Sequence, residues 1–123
     1  MPKVTLVLAS GPGFPHGDPE CRYEIDVTLD GTGRLDPEAW FADPNPWPAR
    51  RYWRDQWPRD GDVQLDEETG AWSLRFFPKP GEAGEAPPYK VIHATNIPMR
   101  PGEYLTVRDP DGTEYAFRIV STT

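Results

Sequence analysis

Residues 103–120 read "EYLTVRDPDGTEYAFRIV", two runs that alternate polar with apolar side chains on either side of an Asp-Pro-Asp-Gly turn. Pro110 restricts the backbone just after Asp109, and Gly112 supplies the conformational freedom that closes such a turn. Side chains alternate along a strand, so one face of the second run carries three apolar residues, Tyr115, Phe117 and Ile119. The stretch therefore predicts a β-hairpin with one buried face.

The same alternation recurs along the rest of the chain. It is found at residues 3–8, 22–29, 62–77 and 90–95. Residues 62–77 predict a second hairpin, with Gly70 in its loop, and Gly/Pro-rich loops are predicted at residues 11–21 and 78–89. Short strands separated by turn residues are typical of a mainly β fold, a small antiparallel barrel or sandwich of about six to eight strands.

One segment, residues 36–58, departs from this strand pattern. Asp36 followed by Pro37 is a typical helix start, and a second short helix is predicted to run from Pro48 to Pro58. We therefore expect a Trp/Pro-rich helical insertion between the second and third strands. The 123 residues are enough for one hydrophobic core, so residues 1–123 are expected to form a single domain.

Composition narrows the classes of function. A formal net charge of -7 argues against nucleic acid and against anionic membranes as partners, because both require an excess of Lys and Arg. A lone cysteine, Cys21, cannot form an intramolecular disulfide, which favours a reducing, cytoplasmic location. Apolar runs as long as a membrane-spanning helix are absent from the sequence, so a soluble protein is expected.

The stretch "DPNPWPARRYWRDQWPRD", residues 43–60, carries the strongest candidate binding site. Arginine offers forked donors to carboxylates, and tryptophan is enriched at the centre of protein interfaces. The predicted partner-binding residues are Trp47, Arg50, Arg51, Arg54 and Trp57. On a helix over residues 48–57, Trp53 and Trp57 would face the sheet, and Trp47, between two prolines, would be exposed to a partner.

Two other interpretations of this segment stay open. Its tryptophans can pack on the protein's own sheet, with Arg51 paired to Asp55 and the other arginines solvated. Alternatively, a pocket beneath the segment can bind a small molecule or a carbohydrate. Such a pocket would be a concave opening lined by Trp40, Trp53 or Trp72.

Signals for catalysis or metal binding are weak. His16, Cys21 and His93 are possible metal ligands or catalytic groups, but their spacing matches no metal-binding or nucleophile motif. We therefore expect no catalytic residue, no metal and no cofactor. The function hypothesis that follows is a non-enzymatic module that binds a protein partner or a second copy of itself.

Overall fold

The computed structural model describes residues 1–78, 89–93 and 97–123. These residues contain eight β-strands and one short α-helix. The strands are β1 (Lys3–Ser10), β2 (Asp18–Asp26), β3 (Trp47–Tyr52), β4 (Arg59–Leu65), β5 (Trp72–Phe76), β6 (Tyr89–His93), β7 (Tyr104–Arg108) and β8 (Glu114–Thr122). The helix, α1 (Pro37–Ala42), lies between β2 and β3.

Every strand pairs antiparallel with the next one in the chain, and β8 pairs back onto β1. The sheet is therefore a closed barrel with its strands in sequence order. Closure satisfies the backbone groups on both edges of the sheet, which would otherwise be open to pairing with another chain. This confirms the mainly β class and selects a barrel over a sandwich.

The interior of the barrel is filled by side chains. Each strand contributes at least one buried residue to this core, among them Leu6, Tyr23, Trp47, Val63, Leu74, Ile92, Val107 and Phe117. Aromatic rings supply much of the volume, since Tyr23 packs against both Phe76 and Phe117 with ring centroids 5.6 and 5.0 Å apart. A barrel of this strand number has just enough interior space for such a packed core.

The barrel has two different ends. We call the end that carries residues 11–17, 53–58 and 109–113 the upper end. The lower end carries residues 27–46, including α1, and the short hairpin loop at 66–71. Because the interior is filled, the two ends are separate surfaces.

Most of the predicted elements are confirmed. Both hairpins form, with left-handed backbone at Gly70 (φ 72°) and Gly112 (φ 90°). The helix begins as predicted, with the Asp36 carboxylate accepting the Ala39 N–H and Pro37 as the first helical residue. Residues 79–88 of the loop predicted over 78–89, and residues 94 and 95 of the strand predicted over 90–95, lie outside the described residues.

The predicted helix from Pro48 is wrong. The chain from Trp47 to Tyr52 is instead the third strand, so the range predicted as a helical insertion, 36–58, contains α1, strand β3 and the loop that follows β3. The pairing of β3 with β2 begins at Ala49, one residue after Pro48. Pro48 therefore lies outside this pairing, where a residue without a backbone N–H is tolerated. Among the described residues, no helix is long and apolar enough to span a membrane.

Gly61 marks a close approach between β4 and β5. A Cβ atom at this position would lie 1.9 Å from the backbone oxygen of Arg75. This clash could be relieved only if the backbone of β4 or β5 moved. We expect Gly61→Ala to destabilise the protein by ~1–3 kcal/mol, the usual cost of overpacking, measured by urea denaturation. Gly31→Ala is the matched control, because a Cβ at Gly31 meets nothing within 4 Å. Equal stability of the two variants would contradict this account.

Candidate functional site

Trp47 lies in the barrel core. Its side chain is 0% exposed and stacks on Trp72, with ring centroids 5.7 Å apart and an interplanar angle of 13°. Its indole N–H donates to Asp43 Oδ2 at 3.1 Å, which satisfies the one polar group of the buried ring. The prediction that Trp47 is exposed to a partner is therefore wrong. The reason is the strand geometry of β3, which points alternate residues inward.

Arg54 is held by acidic side chains of its own chain. It forms a two-pronged ion pair with Asp18, which is only 6% exposed, and its Nη1 lies 3.0 Å from Glu20. We call this cluster the Asp18–Arg54 clamp. It joins the β3–β4 loop to the start of β2, so Arg54 acts as a structural residue in this conformation.

The clamp also binds the two acidic side chains just before Cys21 in the chain. Asp18 and Glu20 bind Arg54, and among the described residues no group of three or more His, Cys, Asp and Glu side chains could hold a metal ion. Hydrogen bonds from Arg54, and then from the Glu20 N–H, hold the pKa of Asp18 below its ordinary value. The ionised carboxylate is therefore the form that the fold stabilises.

Arg50 and Arg51 point to opposite sides of β3. Arg50 is on the outer surface, where its Nε lies 3.2 Å from Asp60 Oδ1. Arg51 is partly buried at the upper end, with its guanidinium 4.5 Å from the centre of the Trp53 ring and its Nη1 donating to Gln56 at 2.9 Å. The expected pairing of Arg51 with Asp55 is thus replaced by one with Gln56.

Trp53 covers the upper end of the core. Its ring makes edge-to-face contacts with Phe14 and Tyr115, with centroids 5.8 and 5.7 Å apart. Packing of Trp53 on the protein's own core is therefore confirmed, although a loop and not a helix brings it there. Together with Arg51, Trp53 closes this end of the barrel interior.

Cys21 is fully buried in β2. Burial raises the pKa of its thiol, and the same effect raises the pKa values of Tyr23 and Tyr115. The neutral thiol is favoured at neutral pH, which is opposite to the activation that a nucleophilic cysteine requires. His16 is exposed on the β1–β2 loop, and the His93 side chain lies outside the described residues.

Trp57 is the most exposed large apolar side chain of the predicted segment, so the expectation that it faces the protein's own sheet is wrong. It is 76% exposed at the end of the β3–β4 loop, and Phe77, 43% exposed, lies at the end of the neighbouring strand β5. The Phe77 N–H donates to the Asp60 carbonyl at 3.0 Å, which extends the pairing of β4 with β5 toward the upper end. We call Trp57, Phe77 and their adjoining prolines, Pro58 and Pro78, the Trp57 surface.

A concave feature lies at the lower end. A cleft of about 260 Å³ opens between α1, the segment that follows it and strand β4. Its lining includes Trp40, Phe41, Asp43, Asn45, Pro46 and Gln64, and we call it the Trp40 cleft. Of the three tryptophans expected to line a pocket, Trp40 does so, whereas Trp72 lies in the core and Trp53 covers the upper end.

Sequence reasoning missed Phe77, Asn45 and Gln64. A signal for Phe77 was present, because Trp72, Leu74 and Phe76 face inward and the next residue of a strand must face outward. Asn45 and Gln64 had no comparable signal. They line one cleft because Asn45 lies just before β3 and Gln64 lies on β4, and the start of β3 pairs with β4 beside Gln64.

The Asp18–Arg54 clamp makes stability depend on pH. The pKa of Asp18 is lower in the folded than in the unfolded protein, so its contribution is full above the ordinary carboxyl pKa and is lost as the pH falls below it. We expect Asp18→Asn to have a lower urea midpoint at pH 7 and a shallower fall in that midpoint between pH 5 and pH 2. Asp60→Asn, whose carboxylate pairs with Arg50 at an exposed site, is the control and should keep the wild-type profile. Parallel profiles for Asp18→Asn and wild type would refute the assignment.

No protein-family model, no curated protein and no solved structure matches this chain. The barrel itself offers two surfaces on which a function could depend. These are the Trp57 surface at the upper end and the Trp40 cleft at the lower end.

Proposed function

We propose that the protein is a non-enzymatic interaction module that binds a protein partner, or a second copy of itself, through the Trp57 surface. The observation that carries the proposal is the 76% exposure of Trp57. A tryptophan in water leaves a large apolar area unburied, and tryptophan is among the residues most often found at the energetic centre of protein interfaces. Trp57 is also one of the partner-binding residues that the sequence predicts.

The loop that carries Trp57 is held in a defined conformation. The Asp18–Arg54 clamp anchors it on one side, and the Gln56 N–H donates to the Trp53 carbonyl at 3.1 Å within it. Asp55 adopts a left-handed backbone (φ 62°), a conformation that Asp tolerates better than most residues. An exposed side chain on a held loop loses less entropy on binding, which favours a contact role.

The surroundings of Trp57 resemble an interface in composition. Phe77 adds a second exposed ring, and the Arg75 guanidinium lies 5.3 Å from its centre. The outer wall beside it carries charged and polar groups, including the Arg50–Asp60 ion pair and Tyr52, whose ring is covered by Arg22 at 3.9 Å. An aromatic centre bordered by polar residues is the usual arrangement of a protein interface.

Trp57→Ala tests the proposal, with Tyr104→Ala as the matched control. Tyr104 is also a large exposed aromatic residue, 57% exposed, but it lies at the lower end of β7. Loss of a central interface tryptophan costs ~2 kcal/mol or more, so we expect association to weaken about thirtyfold in Trp57→Ala and to be unchanged in Tyr104→Ala. Both variants should keep the wild-type urea midpoint, because neither side chain is part of the core.

Two measurements distinguish the possible partners. Sedimentation velocity over a range of concentrations detects a second copy of the chain. A photo-crosslinking amino acid at position 77, which leaves Trp57 in place, detects another protein in cells that express this one, and position 104 is its control. A folded Trp57→Ala variant with unchanged self-association, together with identical crosslinked species from positions 77 and 104, would refute the proposal.

A further inference from the structure

We propose that the Trp40 cleft is a binding site for one ring of a neutral carbohydrate. This site lies at the lower end of the barrel and is independent of the Trp57 surface. Its volume of about 260 Å³ is slightly below the range of about 300–1,000 Å³ that is typical of pockets for drug-sized ligands. The cleft therefore has room for a single small ring and not for an extended ligand.

Trp40 supplies an aromatic wall whose orientation is fixed. Its indole N–H donates to the Val63 carbonyl at 3.0 Å, which ties the ring to β4. The half-exposed ring of Phe41 makes an edge-to-face contact with it, with centroids 5.2 Å apart and an interplanar angle of 84°. Sugar rings present patches of C–H groups that pack against flat aromatic surfaces, so a held indole in an open cleft suits this ligand class.

The polar side chains of the cleft are also held in place. Asp43 accepts the Asn45 N–H at Oδ1 (2.9 Å) and the Trp47 indole N–H at Oδ2 (3.1 Å). Gln64 donates from Nε2 to Asp62 Oδ1 at 2.9 Å, and Asp62 is itself fixed by a two-pronged ion pair with Arg75. Side chains that are already oriented bind a ligand with less loss of entropy.

The remaining hydrogen-bonding capacity of these groups matches hydroxyls. Each carboxylate oxygen of Asp43 accepts one hydrogen bond from the protein and has a further lone pair, and the carbonyl oxygen of Gln64 is a second acceptor. The exposed amide of Asn45 can both donate and accept. A hydroxyl group also donates and accepts, so neighbouring hydroxyls of a sugar complement this set.

The charge of the cleft favours a neutral ligand. The carboxylate of Asp43 disfavours a phosphate, a sulfate or an acidic sugar in the same space. A second carboxylate nearby, that of Asp62, is neutralised by its ion pair with Arg75. The single negative charge of Asp43 therefore gives the cleft little attraction for a cation. A neutral ring with several hydroxyls satisfies both the aromatic wall and the acceptors.

The test is a titration of the isotope-labelled protein followed by NMR. The probes are D-glucose, D-galactose, D-mannose and N-acetylglucosamine, and the open-chain polyol sorbitol is the matched ligand control because it has no ring face. We expect at least one of the four sugars to shift the Trp40 indole N–H signal and the side-chain amide signals of Asn45 and Gln64, and sorbitol to leave them unchanged.

Variants assign the binding to the cleft. We expect Trp40→Ala and Asn45→Ala to weaken the affinity for that sugar about tenfold or more, which corresponds to ~1.4 kcal/mol. Asn45 is exposed, so its variant should fold normally even if loss of the Trp40–Val63 hydrogen bond destabilises the other. Trp57→Ala should bind the sugar as wild type does, which separates this proposal from the interaction function.

Several results would overturn the proposal. These are the absence of shifts with all four sugars, shifts that map outside the Trp40 cleft, equal shifts with sorbitol, or unchanged affinity in a folded Asn45→Ala variant. Occupation of the cleft by a proline-rich peptide, in a titration where the sugars have no effect, would likewise replace the carbohydrate assignment with a peptide site.

Discussion

The pairing of β1 with β8 is the constraint on which the rest of the molecule depends. It runs from Val4 opposite Thr122 to Ser10 opposite Ala116, and Lys3 and Thr123 exchange two backbone hydrogen bonds beyond it, at 2.8 and 3.0 Å. Closure converts a curved sheet into a ring, so inward-facing residues of all eight strands share one core. Because side chains fill that core, the described residues can contact other molecules at the outer wall and at the two ends.

The strands and hairpins could be predicted because their information is local. Alternation along residues 22–29 and turn residues such as Gly112 act within a few positions of the chain. Strand β3 was not predicted, because Pro48 and the adjacent arginines interrupt the usual alternation of apolar and polar residues. In the structure Trp47, Ala49 and Arg51 face inward. The charged side chain of Arg51, at an inner position, contacts Trp53 and Gln56, and the strand pattern does not reveal these partners.

The candidate site was predictable to a smaller extent. Trp57 belongs to the segment that its composition marked as a candidate site. The arginines near it do not form an unpaired basic surface, because Arg54 pairs with Asp18, 36 positions away in the sequence, and Arg50 pairs with Asp60. The burial of Trp47 likewise depends on Trp72, a residue of a strand two places along the barrel. Partners of this kind are set by sheet register, and register follows from the assembled fold and not from local pattern.

The packed interior holds the two ends of the barrel at a fixed separation. Upper and lower ends are separated by roughly 20 Å, the length of a typical strand, and buried side chains from all eight strands lie between them. A molecule held at the lower end would therefore neither block nor reshape the upper end. The protein could then bind one ligand at each end at the same time. Binding at both ends would hold the two ligands at a fixed distance and so raise their effective concentration relative to each other.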